Sequence, residues 1–120
     1  TLSQPVHALN LRETIEEINL RHPDSLIIAI DASLGTRKHM GYLTISNGSL
    51  EPGLGVHKKL PPVGDISITG IVNSAGNFEH FNLQTARLST VVQMADSIVF
   101  GVLMAHRRYF YGFRRLSLQI

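Results

Sequence analysis

The sequence LIIAID, residues 26–31, decides the fold, because five apolar residues run without interruption into one acid. Such a run is typical of a strand that is covered on both faces, with Asp31 expected at its carboxyl end. It follows an apolar stripe over 11–20 that is typical of a surface helix, which Asn10 and Glu13 are expected to cap reciprocally. A helix followed by a buried strand predicts an α/β domain.

Working outward along the chain, the pattern predicts three further elements. Residues 41–46 alternate as a strand does, and Asn47-Gly48 is expected to turn the chain. A long loop rich in proline and glycine, 52–64, then leads to a second apolar strand over 66–72. From residue 83 to 102 apolar residues recur at helical spacing, which predicts a long helix packed on the sheet.

The composition limits both the architecture and the chemistry. A chain of 120 residues, of which 43% are hydrophobic and 17% charged, is the size of one globular domain. The sequence contains no cysteine, which excludes a thiol nucleophile and a thiolate metal site. We expect an α/β domain over 1–105, followed by a basic and aromatic tail over 106–120.

Charge and hydropathy indicate the compartment and the class of partner. The net charge of +2 is too small for a nucleic-acid binder, so no specific nucleic acid is expected. The start of the chain has no signal-peptide pattern, and the apolar stretch 91–105 falls short of a membrane span. We therefore expect a soluble, cytoplasmic protein without a membrane partner. The arginines and aromatic residues of the tail suit an acidic surface, a lipid face or a nucleic acid, although packing against a partner is the simpler interpretation.

Polar residues that end apolar strands are the candidates for chemistry. Asp31 and Asn73 each end such a strand, and the carboxyl ends of parallel strands share one crevice. A partly desolvated carboxylate there suits a general base or a metal ligand, whereas the alternative is a cap or turn residue. His57, on the long loop, is either an exposed histidine or a second metal ligand. Asp65 begins its strand, which predicts a turn or capping role.

Three segments taken together resemble the YyaC-like family of spore proteases. They are SQPVHALNL at 3–11, IAIDASLG at 28–35 and PGLGVHKKLPPVGDISITGIVN at 52–73, within a match that runs in order over about 1–105. That family resembles the germination protease, which degrades small acid-soluble spore proteins, and more distantly the nickel-dependent maturation endopeptidases of hydrogenases. The resemblance implies a three-layer α/β/α domain with a mixed, mainly parallel sheet of the phosphorylase/hydrolase-like type, in the forespore or spore core.

The resemblance also implies roles for individual residues. Asp31 is the expected catalytic residue, and Gly53, Gly55, His57 and Asn73 are expected to shape the substrate site. The family carries another acid on an upstream strand, and this sequence resembles the family without that first acidic segment. Loss of a strand would expose apolar surface, so an oligomer is one expectation.

Three functions stay open at this point. The first is a peptidase that acts on small spore proteins through an aspartate-activated water. The second is a peptide-binding or structural module of the spore without catalysis. The third is a metal-dependent maturation endopeptidase in which Asp31 and His57 hold nickel or zinc, although no cofactor is expected for the spore branch.

Overall fold

The computed structural model describes residues 3–52, 60–76 and 85–117, with side chains as far as residue 111. Two α-helices, three strands and one short 3-10 helix make up these parts of the chain. In chain order they are α1 (Leu11–Arg21), β1 (Ile28–Gly35), the 3-10 helix (Arg37–His39), β2 (Leu43–Asn47), β3 (Ile66–Ser74) and α2 (Leu88–Ser117).

The three strands form one mixed sheet in the order β1-β3-β2. The first strand runs parallel to β3, with Ile28 opposite Ile66, and β2 runs antiparallel to β3. The α/β class and the mixed sheet predicted from the sequence are therefore confirmed. Among the described strands, one pair is parallel and one antiparallel.

The position of Asp31 within its strand corrects the sequence prediction. The apolar run was expected to be the whole strand, with Asp31 at its end, yet β1 continues as far as Gly35 and Asp31 is its fourth residue. The strand continues because its backbone pairs with β3 irrespective of side-chain polarity: Asp31 lies opposite Thr69 and Ala32 opposite Gly70. Asp31 is thus a mid-strand residue.

The entry to α1 also differs from the prediction. Asn10 precedes the helix, but neither it nor Glu13 forms a reciprocal capping bond, and the predicted capping box is wrong. The Asn10 side chain instead forms hydrogen bonds with the backbone of the preceding turn. Its Oδ1 accepts a hydrogen bond from the His7 amide at 2.8 Å and its Nδ2 donates to the Pro5 carbonyl at 3.1 Å. Asn10 therefore orients the segment that leads into the helix.

Asp65 joins the beginnings of the two parallel strands. Its Oδ2 accepts a hydrogen bond from the Ile27 amide at 2.8 Å, and its own amide donates to the Ile27 carbonyl at 2.8 Å. Gly64, just before it, has a φ of +89°, and a Cβ there would lie 2.8 Å from the Cβ of Ala29. Asp65 thus has a structural role, but it links two strands rather than forming the predicted turn or cap, and the close approach of β1 requires a glycine beside it.

The two helices lie over opposite faces of the sheet. Helix α2 covers the face that carries Ile68 and Val72, where a Cβ on Gly70 would lie 2.8 Å from the Met94 Cε. Helix α1 lies over the other face, and Leu11 is its buried residue. The buried apolar side chains among the described residues are few: Leu11, Ala29, Ile68, Val72 and Met94.

Helix α2 is longer than the sequence suggested. Its 30 residues span about 45 Å, and it passes residue 105 without interruption, so the change in composition at the start of the tail is not an end of the helix. Within it, Leu88–Tyr111 is long and apolar enough to cross a membrane by length and composition, since it contains an 18-residue window with a mean hydropathy of 1.6. The expectation that the apolar stretch 91–105 is too short for this is wrong by this measure, because the helix begins at Leu88 and so adds three residues before it.

Candidate functional site

One face of the sheet carries a row of polar side chains at matching positions on all three strands. Asp31 of β1 lies opposite Thr69 of β3, which in turn lies opposite Thr44 of β2. The adjacent row, toward the start of β1, contains Ala29, Ser67 and Ser46. Since paired residues project to the same side of a sheet, a carboxyl group and several hydroxyl groups share this face.

This polar face forms the floor of a cleft of about 890 Å³ beneath α1. The wall that α1 contributes is apolar, with Leu11, Ile15 and Ile18 lining it. The floor contributes Asp31 and Thr69, among other polar residues. An apolar wall over a polar floor is the usual composition of a ligand site, in which a few polar groups orient a largely apolar ligand.

The electrostatics of Asp31 follow from its place in this floor. Burial raises the pKa of Asp31 above its ordinary value of 3.8, because the apolar surroundings penalise the charged form. A hydrogen bond from the Ala32 amide to Asp31 Oδ1, 2.8 Å long, opposes that effect by stabilising the carboxylate. A carboxylate whose pKa is raised is a stronger base toward water than an exposed aspartate, which suits proton transfer at neutral pH.

Two further titratable side chains line the same cleft, His7 and Glu51. The His7 Nδ1 accepts a hydrogen bond from the Leu9 amide at 3.3 Å, so a neutral imidazole there carries its proton on Nε2. Among the described residues, no three histidine, cysteine or acidic side chains are grouped closely enough to hold a metal ion.

Asn73 was expected to share a crevice with Asp31, and the structure does not bring the two together. Asn73 lies four positions beyond Thr69, about 13 Å along β3, and is not among the residues that line the cleft. Its Nδ2 contacts the Thr85 Oγ1 at 3.4 Å, so it links the end of β3 to the segment before α2. A substrate-binding role for Asn73 stays a prediction.

The other predicted site residues, Gly53, Gly55 and His57, lie outside the described residues. A metal site shared by Asp31 and His57 therefore stays a prediction, as does the part that the two glycines play in shaping the pocket. The structure gives the position of one of the two proposed metal ligands, because Asp31 lies in the floor of an open cleft.

The hydroxyl residues that surround Asp31 were not predicted from the sequence. β3 was treated as an apolar strand, but its sequence ISIT at 66–69 alternates isoleucine with serine and threonine. The same alternation places Ser46 on the face shared with Ser67, and Ser67 is buried there. This period of two is the signal that distinguishes a strand with one polar face from one that is apolar on both.

Comparison with known proteins places the chain in a family. Residues 1–101 match the family described as "Protein of unknown function (DUF1256)". The chain is 46% identical over 107 residues to the "Uncharacterized protein YyaC" of Bacillus subtilis (strain 168), covering 89% of this chain and 52% of that relative. The chain thus spans about half the length of the relative it matches. No solved structure matches it. On these matches, the chain belongs to the DUF1256 family.

Proposed function

We propose that the cleft beneath α1 binds a peptide and that Asp31 activates a water molecule for hydrolysis of a peptide bond. The observation that carries this proposal is the position of Asp31, which is half-buried in the floor of a cleft with its pKa raised by burial. A general base must be retained in a partly desolvated site that a substrate can enter, and Asp31 meets both conditions.

The geometry around β1 favours an extended peptide as the ligand. β1 is the outer strand of the described sheet, so its free edge can pair with an extended backbone. Ile30, which precedes Asp31 and lies on the opposite face of the strand, is 55% exposed and offers an apolar contact to a substrate side chain on that face. A peptide that pairs with β1 would bring a carbonyl carbon close to Asp31.

The proposed reaction is ordinary hydrolysis. Asp31 accepts a proton from water as the water oxygen bonds to the carbonyl carbon, and the C–N bond then breaks while a proton passes to the leaving nitrogen. Protonated Asp31 can return this proton to the leaving nitrogen, and a second acid can share the role. Glu51, which lines the cleft, is one candidate, and the upstream acid that the family resemblance implies is the other.

The substrate, the compartment and the finer fold rest on the family resemblance. We propose small acid-soluble spore proteins as substrates, the forespore or spore core as the location, and a complete three-layer, mainly parallel α/β/α domain in the longer protein. The mixed sheet with a helix over each face supports that architecture.

Peptide binding without hydrolysis is the second candidate function. It is favoured by the bonding of Asp31, whose hydrogen bond within the described residues comes from the Ala32 amide rather than from a nucleophile or a second acid. A cleft with one carboxyl group and several hydroxyl groups can hold a peptide without cutting it.

The test uses two purified proteins, this chain and a longer version that matches the relative over its full length. Each is incubated with small acid-soluble spore proteins, and cleavage is followed by mass spectrometry. Asp31→Asn keeps the shape of the side chain and removes the base, while Asp24→Asn, at an exposed acid away from the cleft, is the matched control. The hydrolase proposal predicts specific cleavage that Asp31→Asn abolishes and Asp24→Asn leaves unchanged. Binding of the substrate by both proteins, with no cleavage, supports the binding module instead.

A further inference from the structure

Helix α2 has a second apolar face that the sheet does not cover. Its sheet side carries Met94 and Ile98, which border β1 and β3. At 100° per residue, an opposite stripe points away from the sheet. Its apolar members are between 49% and 67% exposed: Val92, Val99, Phe100, Leu103, Met104 and Tyr111. A helix that is apolar on two sides needs a second covering surface.

The same stripe contains one acid and one base. Asp96 and Arg107 are eleven residues apart, about three helical turns, so they lie on one line along the helix surface about 17 Å apart. Both are exposed, and neither takes part in an ion pair with another residue of the described ranges. The stripe therefore has opposite charges near its two ends and apolar residues between them.

We propose that this stripe is the interface of a homodimer, in which the α2 helices of two copies pack antiparallel about a two-fold axis near Gly101 and Val102. With the axis there, the acid of each copy faces the base of the other, and Phe100 of each copy meets Leu103 of the other near the centre. The remaining apolar residues of the stripe lie on either side of this centre.

The pattern is self-complementary only in the antiparallel arrangement. In a parallel pair of helices, Arg107 would face Arg107 and Asp96 would face Asp96. Both contacts would be between like charges and therefore repulsive. In the antiparallel pair both ion pairs lie at the edges of an apolar centre. This is the usual arrangement of an interface, with an apolar core and a polar rim.

Although Leu88–Tyr111 is long and apolar enough to cross a bilayer by length and composition, a second copy fits this stripe better. Met94 is 7% exposed and packs on the sheet, so the part of α2 around it is not available to a membrane. The apolar residues beyond Ile98 reach Arg107 after eight residues, about 12 Å, which is well short of the roughly 30 Å of a bilayer core. Arg107 lies within the stripe itself.

The test is sedimentation equilibrium of the chain and of charge-reversal variants. Asp96→Arg and Arg107→Asp each create two like-charge contacts in the dimer, so each is expected to weaken dimerisation at least tenfold. An equimolar mixture of these two variants is expected to form a heterodimer of near wild-type affinity, because each introduced arginine then faces an acid and each introduced aspartate faces a base. Arg108→Asp, which reverses the neighbouring charge off the stripe, is the matched control and should dimerise normally.

Three results would overturn the proposal. One is a wild-type chain that is monomeric at about 100 µM, well above the dissociation constants of stable dimers. Another is a mixture of the two variants that associates no better than either alone, since charge pairing would then not specify the interface. The third is a monomeric chain that co-sediments with phosphatidylglycerol vesicles and loses this binding in Arg107→Asp, which assigns the stripe to a membrane surface. Unchanged helical circular dichroism confirms that each variant is folded.

Discussion

Asp31 of β1 lies in register with Thr69 of β3, and the two side chains share the floor of the cleft beneath α1. This relationship fixes the environment of the carboxyl group. The adjacent strand offers a hydroxyl group on the same face, while apolar residues of α1 line the opposite wall of the cleft. Asp31 is therefore neither a surface residue nor a fully buried one, and its charge is expected to affect the stability of the fold.

The first prediction concerns stability and pH. Because burial raises the pKa of Asp31 in the folded state, the stability that this group contributes is fully present below its ordinary value of 3.8 and is lost as the pH rises through the folded-state pKa. The amide that replaces the carboxyl group in Asp31→Asn does not ionise, so this variant is expected to melt at a higher temperature than wild type at pH 7. The gap should close as the pH approaches 3.8.

Thermal unfolding followed by circular dichroism between pH 3.5 and 8 measures this gap. Asp24→Asn, at an exposed site, controls for the general effect of removing one negative charge. A lower melting temperature for Asp31→Asn at pH 7 would mean that the carboxylate stabilises the fold, in contradiction to its placement.

The second prediction concerns Thr69. Thr69→Val keeps the shape of the side chain but removes the hydroxyl group from the position opposite Asp31. The surroundings of the carboxyl group become more apolar, so the pKa of Asp31 should rise further and the acidic limb of any activity should move to higher pH. Ser46→Ala, in the adjacent row, is the comparison variant and should have the smaller effect. If wild type and Thr69→Val have the same pH profile of activity, the Thr69 hydroxyl group does not influence the function of Asp31.

The third prediction concerns the contact that aligns the parallel strands. Gly64 and Gly41 both have positive φ, +89° and +84°, so an alanine at either position costs about 1 kcal/mol in backbone strain. At Gly64 the added Cβ also lies 2.8 Å from the Ala29 Cβ, whereas at Gly41 it meets no atom within 4 Å. Gly64→Ala should therefore destabilise the chain by a further ~1–3 kcal/mol. Urea denaturation of both variants measures the difference, and equal destabilisation would argue against the close strand approach.

The fourth prediction concerns the anchoring of α2. Met94 is buried against Gly70, and Met94→Ala should cost about 2–5 kcal/mol of unfolding free energy through lost burial and the cavity left behind. Met40→Ala removes the same atoms from an exposed site and should change stability by less than about 0.5 kcal/mol. Similar effects of the two substitutions would show that α2 is not fixed to the sheet at this point.

Much of the fold could be predicted from local patterns. The helix at 11–21, the three strands and the long C-terminal helix follow from periodicity and from turn residues such as Gly48, which has positive φ. The end of β1 could not be predicted this way, because strand length depends on pairing with β3 rather than on side-chain polarity. Asp31 was for this reason expected at a strand end, although it lies in the middle.

The candidate site could be predicted only in part. Asp31 was identified because an acid after an apolar run is unusual, and its burial agrees with a functional role. The hydroxyl groups around it could be identified only once the register between strands was known, because serine and threonine are common on exposed strand faces. The distance between Asn73 and Asp31 could likewise be identified only from the register between β1 and β3.

The most direct test of the central claim, that Asp31 is the reactive group of a peptide-binding cleft, is a carbon-13 NMR titration of its carboxyl group with and without an extended peptide from a small acid-soluble spore protein. Absence of the signal in Asp31→Asn assigns it. We expect a midpoint above 3.8 for the free chain, moved further by bound peptide as water is displaced from the cleft. A midpoint at or below 3.8 that peptide leaves unchanged would contradict the assignment of this cleft as the functional site.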